Sequence, residues 1–360
     1  MKISQSPCYN HHREKPSNVK GRSKLVVARA KRFVHAVTHR NGEAMTMKIV
    51  ATGLSGLAGS QLQRHIGGRC ELAAVDLPAV DITDRDATLR AFEAHADAAA
   101  AIHLAAFTDV SAAWRERGDR EGLCYRVNVL GTRNVAEACA RMKLHLTHVS
   151  TDFVFDGASD DPYGEEDSPR PVEWYGETKL MAEDEARRAG RWTIARIAFP
   201  FCAEPAPRPD LVRRLLAQLR SGKTLRLFED QSITPSWLED VAGGLELLAR
   251  ERPAEEIFHL TGSSWISPYE LGRMITDVWD LPADRIVASS LKEHLKQDPR
   301  PRQRSLKISN AKWRSFARSC GWPAPLTLRS ALEKMRELEG AEEPSPEECD
   351  KGVEHERPCV

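Results

Sequence analysis

The sequence predicts an α/β protein: a Rossmann-type doubly wound parallel sheet, with a smaller C-terminal α/β domain that would hold a substrate. Three observations carry this. The apolar run KIVAT (48–52) passes directly into Gly53, Gly56 and Gly59 and then into a helical stretch. Further short apolar runs follow, alternating with helical segments, the rhythm of parallel strands joined by crossover helices. Past Arg196 that rhythm gives way to the proline-rich PFCAEPAPRPD and an amphipathic helix.

The chain of 360 residues is long enough for a sizeable core, and 41% apolar with 29% charged residues is ordinary for a globular protein. Formal net charge is zero, so nothing global argues for nucleic acid or membrane partners. No apolar run reaches the ~18 residues of a spanning helix. The eight cysteines, Cys8, Cys70, Cys124, Cys139, Cys202, Cys320, Cys349 and Cys359, form no C-x-x-C pair and read as free thiols of a cytoplasmic protein.

The neutral total hides oppositely charged ends. Residues 1–47 hold ten Lys/Arg against two acidic residues, and 341–360 hold seven acidic against two basic ones with three prolines. Both read as poorly ordered tails, with Met45 or Met47 as the functional start. The expected division is a basic extension over 1–46, a dinucleotide-binding domain over 47–198 plus about 238–264, a substrate-binding domain over 199–237 plus about 265–335, and an acidic tail over 336–360.

KIVAT is the first buried strand. After it Gly53 permits a tight turn, Gly56 lets backbone N–H groups approach a pyrophosphate, and Gly59 allows close helix packing. An ordinary glycine-rich turn is the competing reading. The second strand, ELAAVD (71–76), ends in Asp76, twenty residues beyond Gly56. A carboxylate there can accept hydrogen bonds from ribose hydroxyls and repels a 2′-phosphate, which favours NAD over NADP; a solvated strand end is the alternative. DITD (81–84) opens an Asp-rich helix start, and AAAAIHLAA (98–106) is the third strand.

LHLTHVSTDFVFDG (144–157) is a further strand running into Ser150, Thr151 and Asp152. Ligands lie beyond the carboxyl ends of parallel strands, so Thr151 faces the cofactor crevice. Tyr175 and Lys179 stand four apart and share a helix face. A lysine one turn away, together with the nicotinamide positive charge, would bring a phenol toward the working pH range, and Thr151 would hydrogen-bond the substrate oxygen. Asn128 in YRVNVLGT completes the constellation. His145 and His148 read as packed strand residues, Trp174 as active-site wall, and the histidines show no metal-ligand spacing, so no metal is expected. The helix LVRRLLAQLRSG turns Leu211, Leu215, Leu216 and Leu219 to one face. Asp230, Gln231, Arg300 and Arg304 are polar residues of this second half that the resemblance described next would place near substrate, arginine being suited to a diphosphate.

With these motifs the chain resembles the extended short-chain dehydrogenase/reductase superfamily, and within it the dTDP-4-dehydrorhamnose reductase family. The resemblance covers about 48–335 and rests on TGLSGLAG, AAFTDV, YRVNVLGT, VSTDFVFDG, WYGETKLMAE, RIAFPF, EDQSITPSWLEDVA and DPRPRQRSLKIS. It implies an NAD(P)H-dependent reductase (NADH or NADPH) of a 4-keto nucleotide sugar, with Thr151, Tyr175 and Lys179 as catalytic trio. Gly53, Leu54, Ser55, Gly56, Leu57, Asp76, Asp81, Ile82, Leu104, Ala105 and Ala106 would hold the cofactor with Tyr175 and Lys179. Thr108, Asp152, Trp174 and Arg300 would face the substrate. Related dehydratases carry Thr-Asp-Glu where this chain has Thr151-Asp152-Phe153, so the base for elimination is missing and reduction is favoured. An epimerase of the same superfamily shares the trio. A non-catalytic NAD(P)-binding subunit, like the regulatory subunit of methionine adenosyltransferase, is a further alternative. A homodimer is one assembly the resemblance allows. Departures from the family are Phe107, Ser111, Trp114, Asp210-Leu211 and the charged stretch WRERGDREG (114–122).

Overall fold

A computed structural model describes residues 46–204, 209–298 and 300–342. The basic segment 1–45, the three cysteines Cys8, Cys349 and Cys359, and the acidic segment from 343 onward lie outside the described residues. The compact unit that begins at Thr46 starts at once with strand β1 (Met47–Thr52), then helix α1 (Leu57–Ile66), β2 (Cys70–Ala74), α2 (Arg85–Glu93) and β3 (Ala100–His103). After α3 (Val110–Arg115) a π-helical stretch, Arg126–Gly131, leads into α4 (Thr132–Met142) and β4 (His145–Thr151). Next come α5 (Trp174–Ala186), β5 (Trp192–Ile197), α6 (Leu211–Arg220), β6 (Leu225–Phe228), α7 (Leu238–Glu251), β7 (Glu256–His259), α8 (Pro268–Val278), β8 (Ile286–Ser289), α9 (Ala311–Ser319) and α10 (Leu328–Glu342).

The main sheet has six strands in the order β2-β1-β3-β4-β5-β7, and every adjacent pair is parallel. The order reverses between β1 and β3, the point at which open α/β sheets bind ligands beyond their carboxyl ends. In register, Thr52 lies beside His103, and His103 beside His148. The glycine turn after β1, the Leu104–Ala106 segment after β3 and Thr151 at the end of β4 therefore share one edge. β4 is buried at every position, as expected of a central strand covered on both faces.

Helix starts follow their caps. The Asp84 carboxylate accepts from Ala87 N at 2.9 Å at the start of α2, and Asp210 accepts from Arg213 N at 2.9 Å at the start of α6. Ser267 and Glu270 form a capping box on α8, which carries Pro268 in its first turn. A second sheet pairs β6 with β8 in parallel, and around it Val212, Leu215, Leu216 and Leu219 of α6 pack with Leu271, Ile275, Leu332 and Met335. The sequence pattern had assigned Leu211 to that buried face; Leu211 is only partly buried and Val212 takes the deeper place. β2 stops at Ala74, short of the expected Asp76, and α10 continues through Glu342, so the segment expected as a tail from 336 begins inside a helix.

Among the described residues Cys70, Cys124, Cys139, Cys202 and Cys320 are free thiols. No described helix is long and apolar enough to cross a membrane.

Candidate active site

The first turn is set by two glycines whose replacement has no room. Gly53 has φ of +75°, and a Cβ on it would stand 2.4 Å from Ala105 N; a Cβ on Gly59 would stand 2.1 Å from Gly53 O. The turn therefore lies against the β3 edge, and α1 lies against the turn. Gly56 N donates to Gly53 O at 3.1 Å, and Gly56 caps α1 without any side-chain bond. That leaves the first N–H groups of a ten-residue helix free of a side-chain cap, with the positive end of its dipole at the sheet edge. A pyrophosphate fits such a cradle. Leu54 is buried, Ser55 is exposed and Leu57 packs against the core.

Asp76 is already engaged by the same turn: its Oδ2 accepts from Ser55 N and Ser55 Oγ, both at 3.0 Å, while Oδ1 accepts from Leu77 N at 3.1 Å. Its carboxylate thus stands beside the glycine turn. Asp81 accepts from Thr83 N at 2.8 Å, and Ile82 is core, its carbonyl held by Asn134 Nδ2 at 2.8 Å. Ala105 N donates to Thr52 Oγ1 at 3.3 Å, while Leu104 and Ala106 are half-buried beside it. Thr108 is exposed.

The trio meets at the end of β4. Thr151, Tyr175 and Lys179 are 6%, 9% and 3% exposed. Gly176 brings them together: a Cβ there would stand 2.2 Å from Phe153 O, so only glycine lets α5 press on the turn that follows Thr151. The Phe153 ring meets Tyr175 edge-on at 5.6 Å. Burial pushes the Tyr175 phenol above its ordinary range, and a hydrogen bond from Thr151 pulls the other way.

Lys179 is held against the central strand. Its ammonium donates to Val149 O at 2.8 Å and faces His148 Nε2 at 3.5 Å, and burial lowers its pKa to about 8 against the pull of Glu183. His148 and His103 are fully buried and held neutral by burial, His103 at a pKa of about 3. His145 is packed as expected, with Nε2 2.9 Å from Thr193 Oγ1.

Asp152 is 1% exposed; one oxygen accepts from Thr151 Oγ1 at 3.0 Å, the other has no partner, and burial raises its pKa to about 7. A buried carboxyl that is half protonated near neutrality can donate to a substrate hydroxyl. Trp174 is buried against Ala113, Cys124 and Tyr175 and stacks on Tyr125 at 6.3 Å. Asn128 ties the site together: Oδ1 accepts from Phe107 N at 2.7 Å and Nδ2 donates to Thr178 Oγ1 at 3.0 Å.

The four polar residues of the second half are all engaged within the chain. Arg300 binds Glu173 and Ser111, and Arg304 binds Asp160 at 2.7 Å. Asp230 accepts from Ser290 Oγ at 2.7 Å, and Gln231 Nε2 donates to Gln303 O at 2.9 Å. Sequence reasoning passed over Gly176, Glu173 and the buried pair Glu183–Arg196, bonded at 2.8 Å through both Arg196 Nε and Nη2. A glycine directly after the tyrosine was the one signal available for the first; the ion pairs join residues with no pattern between them.

Known proteins match this arrangement. The profile of the RmlD substrate binding domain covers residues 47–336. A probable low-salt glycan biosynthesis reductase, Agl14, of Haloferax volcanii is 31% identical over 280 residues, covering 73% of this chain and 91% of its own length. A dTDP-4-dehydrorhamnose reductase of Mycobacterium tuberculosis is 30% identical, covering 74% of this chain and 86% of its own length. The crystal structure of a dTDP-4-dehydrorhamnose reductase from Bacillus anthracis in complex with NADP superposes with a TM-score of 0.72 at 22% identity, covering 81% of this chain and 99% of that one. The chain belongs to the RmlD substrate-binding domain family.

Proposed function

We propose that the protein is an NAD(P)H-dependent reductase of a 4-keto nucleotide sugar, of the dTDP-4-dehydrorhamnose reductase type. The observation that carries this reading is the burial of Thr151, Tyr175 and Lys179 at the end of β4, two strands over from β1, whose turn leads into the start of α1 that no side chain caps. Two of the relatives are named as reductases, one of them a dTDP-4-dehydrorhamnose reductase, in support of this reading. We assign 47–198 and about 238–264 to the dinucleotide side, and 199–237 with about 265–335 to the substrate side. Free thiols at the described cysteines favour the cytoplasm as its compartment.

Reduced nicotinamide, when bound, supplies a hydride to the keto carbon. The first N–H groups of α1 would hold the pyrophosphate, and the carboxylate of Asp76 would disfavour a 2′-phosphate. Thr151 Oγ1, turning its one hydrogen from Asp152, and the Tyr175 phenol both donate to the keto oxygen. Because burial holds Tyr175 above its ordinary range, the phenol is fully protonated at neutral pH and serves as the acid that gives the oxygen its proton. The Lys179 ammonium, charged below about pH 8, stabilises the phenolate left behind. Asp152 steadies a neighbouring sugar hydroxyl. Phe153 occupies the place where an elimination base would stand, so the reaction ends at the alcohol.

The experiment is isotope transfer. Incubation of a dTDP-4-keto-6-deoxy sugar with cofactor deuterated at the nicotinamide C4 is expected to give a 4-hydroxy sugar bearing deuterium at C4. A keto sugar recovered unreduced, with cofactor bound, would overturn the reading.

A further inference from the structure

The segment 300–308 lies as a strap between the loop after β4 and the residues before α7. Its backbone is bonded on both sides: Ser305 N donates to Gly157 O at 3.0 Å, Tyr163 N to Lys307 O at 2.8 Å, and Leu306 N to Ser232 O at 2.8 Å. Close packing fixes it further, since a Cβ on Gly157 would stand 2.5 Å from Gln303 Cβ. At the leading end of this strap Arg300 reaches the start of α5. Arg300 Nε and Nη2 donate to Glu173 Oε2 at 3.1 and 2.9 Å, and Nη1 donates to Ser111 Oγ at 2.9 Å.

Glu173 is the residue directly before Trp174 and Tyr175. Its carbonyl begins the helix by accepting from Glu177 N at 3.0 Å, while its side chain caps no helix N–H. That side chain is 2% exposed and that of Arg300 is 13% exposed. Nε, Nη1 and Nη2 of this guanidinium are thus committed to protein oxygens, which leaves it poorly placed to grip a diphosphate as well.

We propose that Glu173 and Arg300 are a positioning pair, through which the strap fixes the first turn of α5 and with it Trp174 and Tyr175. This rests on the reductase reading for its catalytic consequence. Removing either partner leaves a buried charge without its counter-ion. Relief by turning the remaining group toward water rotates the turn that carries Tyr175, and a displacement of about 1 Å at a reacting group costs on the order of a hundredfold in rate. Burial raises the Glu173 carboxyl and Arg300 opposes that rise, in keeping with a pair held charged by its geometry.

The test uses Glu173→Gln, Arg300→Gln and the double variant of the full chain. It reads kcat and KM separately for a 4-keto nucleotide sugar, and amide hydrogen exchange over 174–179 in the ligand-free proteins. A positioning pair gives each single variant a kcat lower by about tenfold or more with KM within about twofold, and a double variant no worse than the poorer single. Exchange over 174–179 then quickens in both singles. If Arg300→Gln instead raises KM by about tenfold at unchanged kcat while Glu173→Gln behaves as wild type, Arg300 is a substrate ligand and the proposal falls. Unchanged exchange in both singles also overturns it. If wild type turns over no keto sugar, the reductase reading fails and the exchange measurement decides the pair alone. Should Arg300→Gln not fold, Glu173→Gln is judged by the same two readouts.

Discussion

Lys179 stands one helical turn from Tyr175, yet its ammonium donates to Val149 O at 2.8 Å, back into the strand that ends at Thr151. Burial is the main influence on both groups: it raises the phenol and lowers the amine to about 8.

The lowered Lys179 gives the first expectation. A base whose pKa is depressed loses its charge as pH rises through that value, so the reduction rate should be level below about pH 8 and fall about tenfold per pH unit above it. A kcat profile from pH 6 to 10 measures this. A rate that stays level to pH 10 would remove Lys179 charge from the mechanism.

Asp152 gives a stability expectation with a definite sign. Its folded pKa is raised to about 7, so between the unfolded carboxyl value of about 3.9 and pH 7 the folded state binds the extra proton, and stability falls as pH rises. Asp152→Asn removes that loss while keeping an acceptor for Thr151. The variant should match wild type near pH 4 and exceed it by on the order of 4 kcal/mol at pH 8 in urea unfolding. Equal stabilities at both pH values would contradict the assignment.

Two glycines offer steric tests. Gly176→Ala drives α5 off Phe153 O and should lower kcat by on the order of a hundredfold while cofactor still binds. Gly59→Ala collides with Gly53 O and should abolish the cofactor-binding signal in a fluorescence titration, with turnover lost for that reason. Reversed outcomes would mean that the two glycines serve the opposite sites.

Glu183→Gln should cost about 3–5 kcal/mol in denaturant unfolding, because it strands the fully buried Arg196 without a full counter-charge. A loss below 1 kcal/mol would show that His259, whose Nε2 lies 3.5 Å from Arg196 Nη1, suffices to hold the guanidinium.

How much of this was legible in the sequence follows from the range of the contacts. The strand, glycine turn and helix from Met47 to Ile66 are local, and so is the spacing of Tyr175 and Lys179; both could be read from neighbours along the chain. Thr151 was found because a parallel strand sends its ligands to its carboxyl end. Lys179 choosing Val149 O, Asp76 engaging Ser55 and Arg300 reaching Glu173 are choices between partners far apart in sequence. No periodicity encodes them. The same holds for Gly176, whose need for glycine exists only because Phe153 lies against it.

The most direct test of the account follows the absorbance of NADH and of NADPH in the presence of a dTDP-4-keto-6-deoxy sugar, for wild type and Tyr175→Phe. The account predicts net cofactor oxidation by wild type and a loss of about three orders of magnitude or more in the variant, which keeps the ring and removes the acid. Turnover by Tyr175→Phe at the wild-type rate would contradict it, as would tight cofactor binding by a wild type that oxidises none.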